Sequence, residues 1–400
     1  MSSYVLVINA GSSSLKYSLV DAESGDAAAA GVVERIGEAE GSHRHRGPRG
    51  ETRSTLVIAS HEEALQAAIE AFAVQGPALD EIELVAVGHR VVHGGSAFAE
   101  PTLVDDELLA KVAELVPLAP LHNPANLTGM RVARRLFPQL PQVAVFDTAF
   151  HQTLPPQAYT YAVPREWATE HGIRRYGFHG TSHAFVSGEA ARMLGRSEVN
   201  LVVLHLGNGC SATAVRGGRS VDTSMGMTPL EGLVMGTRSG DLDPAIHAHL
   251  SRELGWPLDK IDHALNFDSG LKGLAGYNDF RELSRSRAAG DERAQLAFDV
   301  FCYRIKKYVG AYYAALGTVD AIVFTAGVGE NDPAARAASL AGLERLGIRV
   351  DPALNAASSD RPRAISTDAS PVAVLVIPTN EEWQIARETV SAIRSRPPRV

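Results

Sequence analysis

Cysteine is almost missing: Cys210 and Cys302 are the only two in 400 residues. They are too few and too isolated for a disulfide scaffold or a cysteine-rich metal site. Long apolar runs are missing as well, so no membrane span is expected, and the opening MSSYVLVINAG lacks the basic start and cleavage pattern of a secretory signal. Positive charge is not in surplus. With 38 Lys+Arg against 46 Asp+Glu, the formal charge of -8 offers nucleic acid or an anionic membrane nothing to hold. GSSSLK lacks the spacing of a P-loop, and no strand feeds GxGxxG into a helix, which leaves NAD binding poorly supported. What is present is the balance of an ordinary globular protein, 45% apolar and 21% charged, long enough for two domains. A cytoplasmic enzyme is the expectation.

Residues 203–212, VLHLGNGCSA, repeat in outline what residues 6–16, LVINAGSSSLK, do near the start. Each is an apolar run ending in a polar residue and glycine, then turning through small hydroxyl or amide side chains into a second apolar run. Such runs read as buried strands, and Gly/Ser/Asn turns let backbone N–H groups approach an anion closely. Aligned on Gly11 and Gly207, Asn9 matches His205 and Ser12 matches Asn208. Two such turns, half a chain apart, predict related halves that each lend a hairpin to a phosphate chain. A pair of ordinary hairpins is the competing reading.

Strands are expected at 4–9, 15–21, 83–87, 143–146, 200–206, 212–216, 320–324 and 372–377. Helices are expected at 62–72, 104–115, from LHNPAN onward, and at 183–194, 244–254, 292–316 and 381–393. Strands separated by helices, ending in polar or glycine-rich segments, mark an α/β fold with its chemistry at the strand ends. The main boundary is expected near Phe150. The stretch 37–50, with HRHRGPRG, reads as a solvated, variable hairpin loop and not as a metal site. The segment from Pro155 through RRYGFHGTSH also reads as loop. Residues 228–244, TPLEGLVMGTRSGDLDP, are too apolar for a linker and read as a folded active-site loop.

These pieces converge on phosphoryl transfer. Lys16 offers a point charge beside the first turn. Arg90 in GHRVVHGG and Arg238 in VMGTRSGD lie in glycine-bounded segments suited to bidentate clamps on oxyanions, with a plain surface arginine as the alternative. His179 in YGFHGTSH suits a hydrogen bond to developing phosphoryl charge, or equally a structural tie to a carbonyl. His122 in LHNPAN is open between a site role and a helix-start contact. Asp147 and Glu381 follow strands, where carboxylates either hold Mg2+ or a water near phosphate or cap the next turn.

The motifs VINAGSSSLK, GHRVVHGG, LHNPAN, VFDTAFHQT, IRRYGFHGTSH, HLGNGCS, DTSMGMTPLEGLVMGTRSGDLDP, FTAGVGEN and IPTNEE occur in one order along the whole chain. In that order the sequence resembles the acetate/butyrate kinase family of the sugar kinase, Hsp70 and actin superfamily. The resemblance implies an α/β, duplicated actin-like (ribonuclease H-like) two-domain fold with an interdomain active-site cleft. It implies an N-terminal domain at 1–150, joined by a C-terminal helix at 382–396, and a second domain at 151–381 carrying the nucleotide site and dimer contacts. ATP/ADP and Mg2+ are the implied cofactors, with Mn2+ able to substitute. Acetate and acetyl phosphate are the implied partners, and the assembly a homodimer.

Residue by residue, the resemblance makes Asn9, Ser12, Ser13 and Lys16 the first phosphate-facing turn and Asn208 and Gly209 the second, with His122 and His205 beside them. Arg90 and Arg238 become carboxylate and phosphoryl clamps, and His179 and Arg238 the groups that stabilise the transition state. Asp147 and Glu381 organise the site, with Asn9 and Glu381 toward magnesium. Asp279, Phe280 and Arg281, with Gly327, Gly329, Glu330 and Asn331, form the adenosine pocket. Val92, Leu121, Phe178 and Pro229 form the apolar wall around a methyl group. One departure is Cys210, where the family commonly has serine, for which a change in thiol reactivity is the only expected effect.

An acceptor hydroxyl must lose a proton and needs a positioned base, whereas a short carboxylate is already ionised and needs an arginine and a dry pocket. Arg90 with Val92, Leu121 and Pro229 fits the second description. The expected reaction is direct in-line transfer between ATP and acetate. Propionate or butyrate as acceptor, and a non-catalytic actin-like nucleotide-binding module, are the alternatives.

Overall fold

The first apolar runs become strands. In the computed structural model, which describes residues 3–395, the first half of the chain forms β1 (Tyr4–Ala10), β2 (Ser14–Asp21), β3 (Ala27–Glu34), β4 (Gly41–Gly47), β5 (Gly50–Leu56), β6 (Leu84–Val91), β7 (Thr102–Leu103) and β8 (Gln142–Phe146). The second half forms β9 (Asn200–Leu206), β10 (Cys210–Arg216), β11 (Arg219–Thr223), β12 (Ala321–Thr325), β13 (Arg363–Ala364) and β14 (Ala373–Val376). They make two sheets, ordered β5-β4-β3-β2-β1-β6-β8-β7 and β11-β10-β9-β12-β14-β13.

Without β4 and β5 the two orders coincide. Three antiparallel strands (β3-β2-β1; β11-β10-β9) are followed by two parallel ones (β6 and β8; β12 and β14) and a short antiparallel edge strand. This is the duplicated actin-like, ribonuclease H-like α/β order. It pairs β1 with β9, so the turns after Asn9 and His205 occupy the same place in each repeat.

The chain divides into one unit of Met1–Ala149 with Asn380–Val400 and another of Phe150–Thr379. In the first, α1 (His61–Gln75) and α3 (Asn123–Leu136) cover one face of the sheet, closing a core of Leu6, Ile8, Leu19, Leu65, Phe72 and Val132. Helix α2 (Asp106–Glu114) packs with Met130 and Phe146 in an adjoining cluster. The other face takes the last helix, α8 (Glu381–Arg394), through Ile385 and Ala386 against Val5, Val7, Val143 and Val145. The N-cap of α8 is Asn380, which accepts a hydrogen bond from Trp383 N at 2.9 Å. The helix crosses β6 so closely that a Cβ on Gly88 would stand 2.6 Å from Thr389 Oγ1. Position 396 of the helix expected at 382–396 lies outside the described residues.

In the second unit α4 (Gly180–Leu194) packs on β9 and β12, and α6 (Glu292–Leu316) on β9 and β10. Helix α5 (Phe280–Ala288) precedes α6, and α7 (Ala326–Asn331) follows β12 directly. No helix among the described residues is long and apolar enough to cross a membrane.

Two expectations are corrected. The stretch 37–50 is not a solvated loop: it supplies β4 and the start of β5. His43 and His45, two apart on a strand, share its inner face and are buried, and both reach the Tyr17 hydroxyl, at 2.8 and 2.7 Å. The segment after Pro155 contains two short helices, Pro156–Tyr159 and Arg165–His171.

Candidate active site

In the first unit the strand ends bring a charged cluster together. Arg90 lies near the end of β6 and Asp147 immediately after β8. The parallel register sets Arg90 beside Val145, and Asp147 N donates to Val91 O at 2.9 Å, extending the ladder by one bond. The guanidinium then meets the carboxylate side-on, Nε donating to Oδ1 at 3.0 Å and Nη2 to Oδ2 at 2.7 Å. Asp147 is buried, and its charge, with that of Glu381, holds the Arg90 pKa above its ordinary value. Both Asp147 oxygens are thereby engaged, which suits a residue that orients Arg90 and not one that takes a proton.

Glu381 opens α8. Burial raises its pKa, Arg90 and Lys16 oppose that, and Asp147 adds to it. Its carboxylate is thus electrostatically coupled to Arg90, Asp147 and Lys16, and Lys16 pairs with Asn9 across the first hairpin. That hairpin is tight: Gly11 N donates to Ser14 O at 2.8 Å, and Ser12 and Ser13 stand exposed at its tip.

Sequence reasoning missed the residue that fastens this corner. Asn126, buried on α3, donates to Ala10 O at 2.8 Å and accepts from Val92 N at 3.0 Å, tying the ends of β1 and β6. Its signal was the second Asn of LHNPAN. Val92 is half-buried, Leu121 is 50% exposed, and His122 is half-buried at the start of α3.

In the second unit His179, Arg238 and the turn 207–209 converge. His179 caps α4 with a left-handed backbone, φ 55°, a strained conformation for a residue other than glycine. Its ring stacks on His205 with centroids 4.2 Å apart, and its Nδ1 lies 2.9 Å from Ser211 Oγ. His205 Nδ1 in turn reaches Ser182 Oγ at 2.8 Å. Phe178 is buried, and its carbonyl accepts from His151 Nε2 at 2.9 Å. A Cβ on Gly209 would stand 3.5 Å from both His179 Nε2 and Arg238 Nη2, so the two groups share one side of this turn.

Arg238 is carried by the folded loop expected at 228–244. Its Nη1 donates to Pro229 O at 2.8 Å, and it forms no ion pair among the described residues. Burial lowers its pKa somewhat, and no carboxylate offsets that. Below it Gly270, at φ 60°, leaves no room for a side chain, since a Cβ would come within 2.6 Å of Arg238 O. Cys210 is buried, donates to Gly207 O, and has its thiol pushed up to about 12 by burial. Burial thus favours the protonated, less nucleophilic form of this thiol.

A cavity of about 830 Å³ adjoins the same turn, walled by Gly207, Asn208, Asp279, Phe280, Arg281, Gly327 and Asn331. Gly236, Leu271, Asn278, Ser284, Val328 and Asp332 complete it and were not anticipated as site residues. Gly329 and Glu330 do not line it. Glu330 Oε1 is used internally, accepting from Ala326 N at 2.8 Å and Thr379 N at 3.2 Å. The Phe280 ring also turns inward, onto Phe301 at 5.1 Å.

Arg336 is a further residue that sequence reasoning missed. It is fully buried and donates to Gly329 O and Glu330 O, both at 2.9 Å, at the end of α7, and to Asn355 Oδ1 at 2.8 Å. Burial, helped by Arg363, lowers its pKa to about 10. Its guanidinium holds in place the short helix that carries Gly327, Val328 and Asn331.

Two sheets of one order, each with a glycine turn after its first strand, define a nucleotide-dependent phosphotransferase of the actin-like class when joined to these arginine clusters. A sequence profile described as the Acetokinase family matches residues 4–387. An acetate kinase of Leifsonia xyli subsp. xyli is 59% identical over 98% of this chain and 99% of its own length. One of Streptomyces coelicolor is 58% identical over 98% and 97%. The crystal structure of Porphyromonas gingivalis acetate kinase matches with a TM-score of 0.93 and 43% identity, covering 98% of this chain and 100% of that one. A propionate kinase of Francisella tularensis subsp. tularensis matches with a TM-score of 0.92 and 43% identity, over 97% and 99%. The chain belongs to the acetokinase family.

Proposed function

We propose that this chain transfers a phosphoryl group reversibly between ATP and acetate, giving ADP and acetyl phosphate, by one direct in-line step. The observation that carries this reading is the side-on Arg90–Asp147 pair beside the half-buried Val92. An arginine already oriented by a carboxylate keeps its remaining donors for a second carboxylate, and an ionised acceptor needs no base. Arg238 and His179 meet the transferring group. Asn208 and Gly209 face the phosphates on one repeat, and Asn9, Ser12, Ser13 and Lys16 on the other. The 830 Å³ cavity takes the adenosine.

Magnesium calls for one or two oxygen ligands from protein, with the phosphates and water supplying the rest. Glu381 and Asn9 fit that limited role, and no group of three or more ligating side chains occurs among the described residues. When bound, the ion neutralises phosphate charge; Glu381 and Asn9 hold it, and Lys16 adds a second cation. The domains are read as residues 1–150 with the last helix, and 151–381. A homodimer is proposed through the second domain, where Leu296 and Tyr303 on α6 are 57% and 64% exposed.

Incubation with ATP, Mg2+ and acetate should give acyl phosphate trapped as the hydroxamate, and its absence would leave a non-catalytic nucleotide-binding module. With ATP chiral at the γ-phosphorus, a single transfer inverts configuration. Net retention would require a phosphorylated enzyme residue and would end the direct mechanism.

Propionate is the second reading, favoured by the Francisella match. Val92→Ala should shift the kcat/KM ratio toward propionate by about 3- to 10-fold, the effect of about one methylene. A ratio that does not move takes Val92 out of the acyl wall. On the nucleotide side, Arg336→Met strands the Gly329 and Glu330 carbonyls. It should lower stability by about 3 kcal/mol and raise the KM for ATP about tenfold, with the KM for acetate unchanged. Equal changes in both KM values would mean that Arg336 does not act through the nucleotide cavity.

A further inference from the structure

Behind His179 the second unit buries a short chain of hydrogen bonds. Ser211 Oγ lies 2.9 Å from His179 Nδ1 and 2.8 Å from His183 Nε2. Ser211 sits on β10 opposite His205 on β9, while His179 and His183 are four residues apart at the start of α4. That spacing presents both rings to the same hydroxyl. His183 is fully buried, and its Nδ1 has no hydrogen-bond partner among the described residues. Burial first, then the neighbouring His151 and His205, holds its pKa well below the ordinary histidine value, so the ring is neutral.

A hydroxyl has one proton to give, and two arrangements are open to a neutral pair of rings. If Ser211 donates to His183 Nε2, the His183 proton sits on Nδ1, where it becomes a buried N–H with no acceptor. Orphaned donors of that kind are the ones folded proteins avoid most consistently. If instead His183 Nε2–H donates to Ser211, only a lone pair is stranded at Nδ1. Ser211 then donates to His179, because accepting from both rings would leave its own buried proton without an acceptor among the described residues.

We propose that His183, acting through Ser211, fixes His179 in the tautomer with a bare Nδ1 and a protonated Nε2. The protonated nitrogen is the one beside Arg238 Nη2 on the Gly209 side of the site. In this tautomer the neutral His179 ring is a hydrogen-bond donor toward an anion, whereas the opposite tautomer would turn a lone pair there. His183 and Ser211 are positioning residues. The inference rests on the reading of His179 and Arg238 as groups that face the phosphoryl, but its test does not need turnover.

Solid-state 15N spectra of the ligand-free, histidine-labelled protein separate protonated from bare ring nitrogens, and His179→Gln identifies the His179 signals. The wild type should show a bare Nδ1 and a protonated Nε2 at His179. Ser211→Ala should give a mixture or the reverse, with kcat lowered about tenfold, as expected for one hydrogen bond, and both KM values unchanged. Ser211→Thr, which restores a hydroxyl, should recover the tautomer and the rate. A protonated Nδ1 in the wild type overturns the proposal, as does a Ser211→Ala protein whose His179 tautomer is unaltered. If Ser211→Ala does not fold, the wild-type spectrum decides alone. A protein with the expected tautomer and no acyl phosphate formation would remove the kinase reading and leave the relay standing.

Discussion

Arg238→Ala should lower kcat by about two to three powers of ten while moving the KM for ATP only a few-fold. The arginine is half-buried, is steered by the Pro229 carbonyl, and forms no ion pair among the described residues. A partly desolvated cation left without a counter-charge is destabilised until an anion arrives, and it gains most when that anion's charge peaks. The loss therefore falls on the transition state and not on the bound nucleotide. Steady-state kinetics with ATP and acetate varied separately make the distinction. A near-normal kcat, or a loss confined to the KM for ATP, would take Arg238 out of the transfer step.

Arg90→Ala is expected to act on the acceptor and on the fold together. The KM for acetate should rise and kcat fall, with kcat/KM lower by about 10²- to 10³-fold, because a charge-assisted clamp is lost. Removing Arg90 also strands Asp147, which is 2% exposed. Breaking a buried pair by deleting one partner costs about 3–5 kcal/mol. The pH dependence has a definite sign. Burial already raises the Glu381 pKa, and Arg90 is the main group opposing that rise. In the variant the folded-state value climbs further above the unfolded one. A carboxyl so raised favours the fold while protonated and disfavours it once ionised, so the deficit against wild type should be smallest at pH 4.5 and grow once the pH passes the already raised wild-type value. Denaturant melts at pH 4.5 and 7 with an equal deficit would show that Arg90 and Glu381 are not coupled.

The elements that carry their own pattern were legible. The strand at Asn200–Leu206 and the helix at Glu292–Leu316 are continuous apolar or periodic runs with clear ends, and they form where expected. The His43/His45 strand was not, because alternation of histidine with arginine looks polar throughout until Tyr17 is brought across the sheet to satisfy both rings. The site divides in the same way. Arg90 and Asp147 each announced themselves at a strand end, but their pairing spans 57 residues and exists only through the β6–β8 register. Arg336 and Asn126 reach backbone carbonyls of distant segments, and no local spacing encodes such a contact. Glu330 shows the converse: its motif marked the right segment, while its carboxylate is spent on the backbone of Ala326 and Thr379.

The two added strands of the first sheet change what the molecule can become in a crowded solution. Strand β5 is the outermost of its sheet, and nearly its whole length is exposed. Such a rim is a ready template on which another chain's strand can lay itself. Here the rim carries Glu51 and Arg53, joined at 2.8 Å, amid small hydroxyl side chains. A strand arriving from a neighbouring molecule would have to strip water from both charges to gain a few ladder hydrogen bonds. Polymerisation along this rim is thus discouraged by the same short segment that closes the sheet.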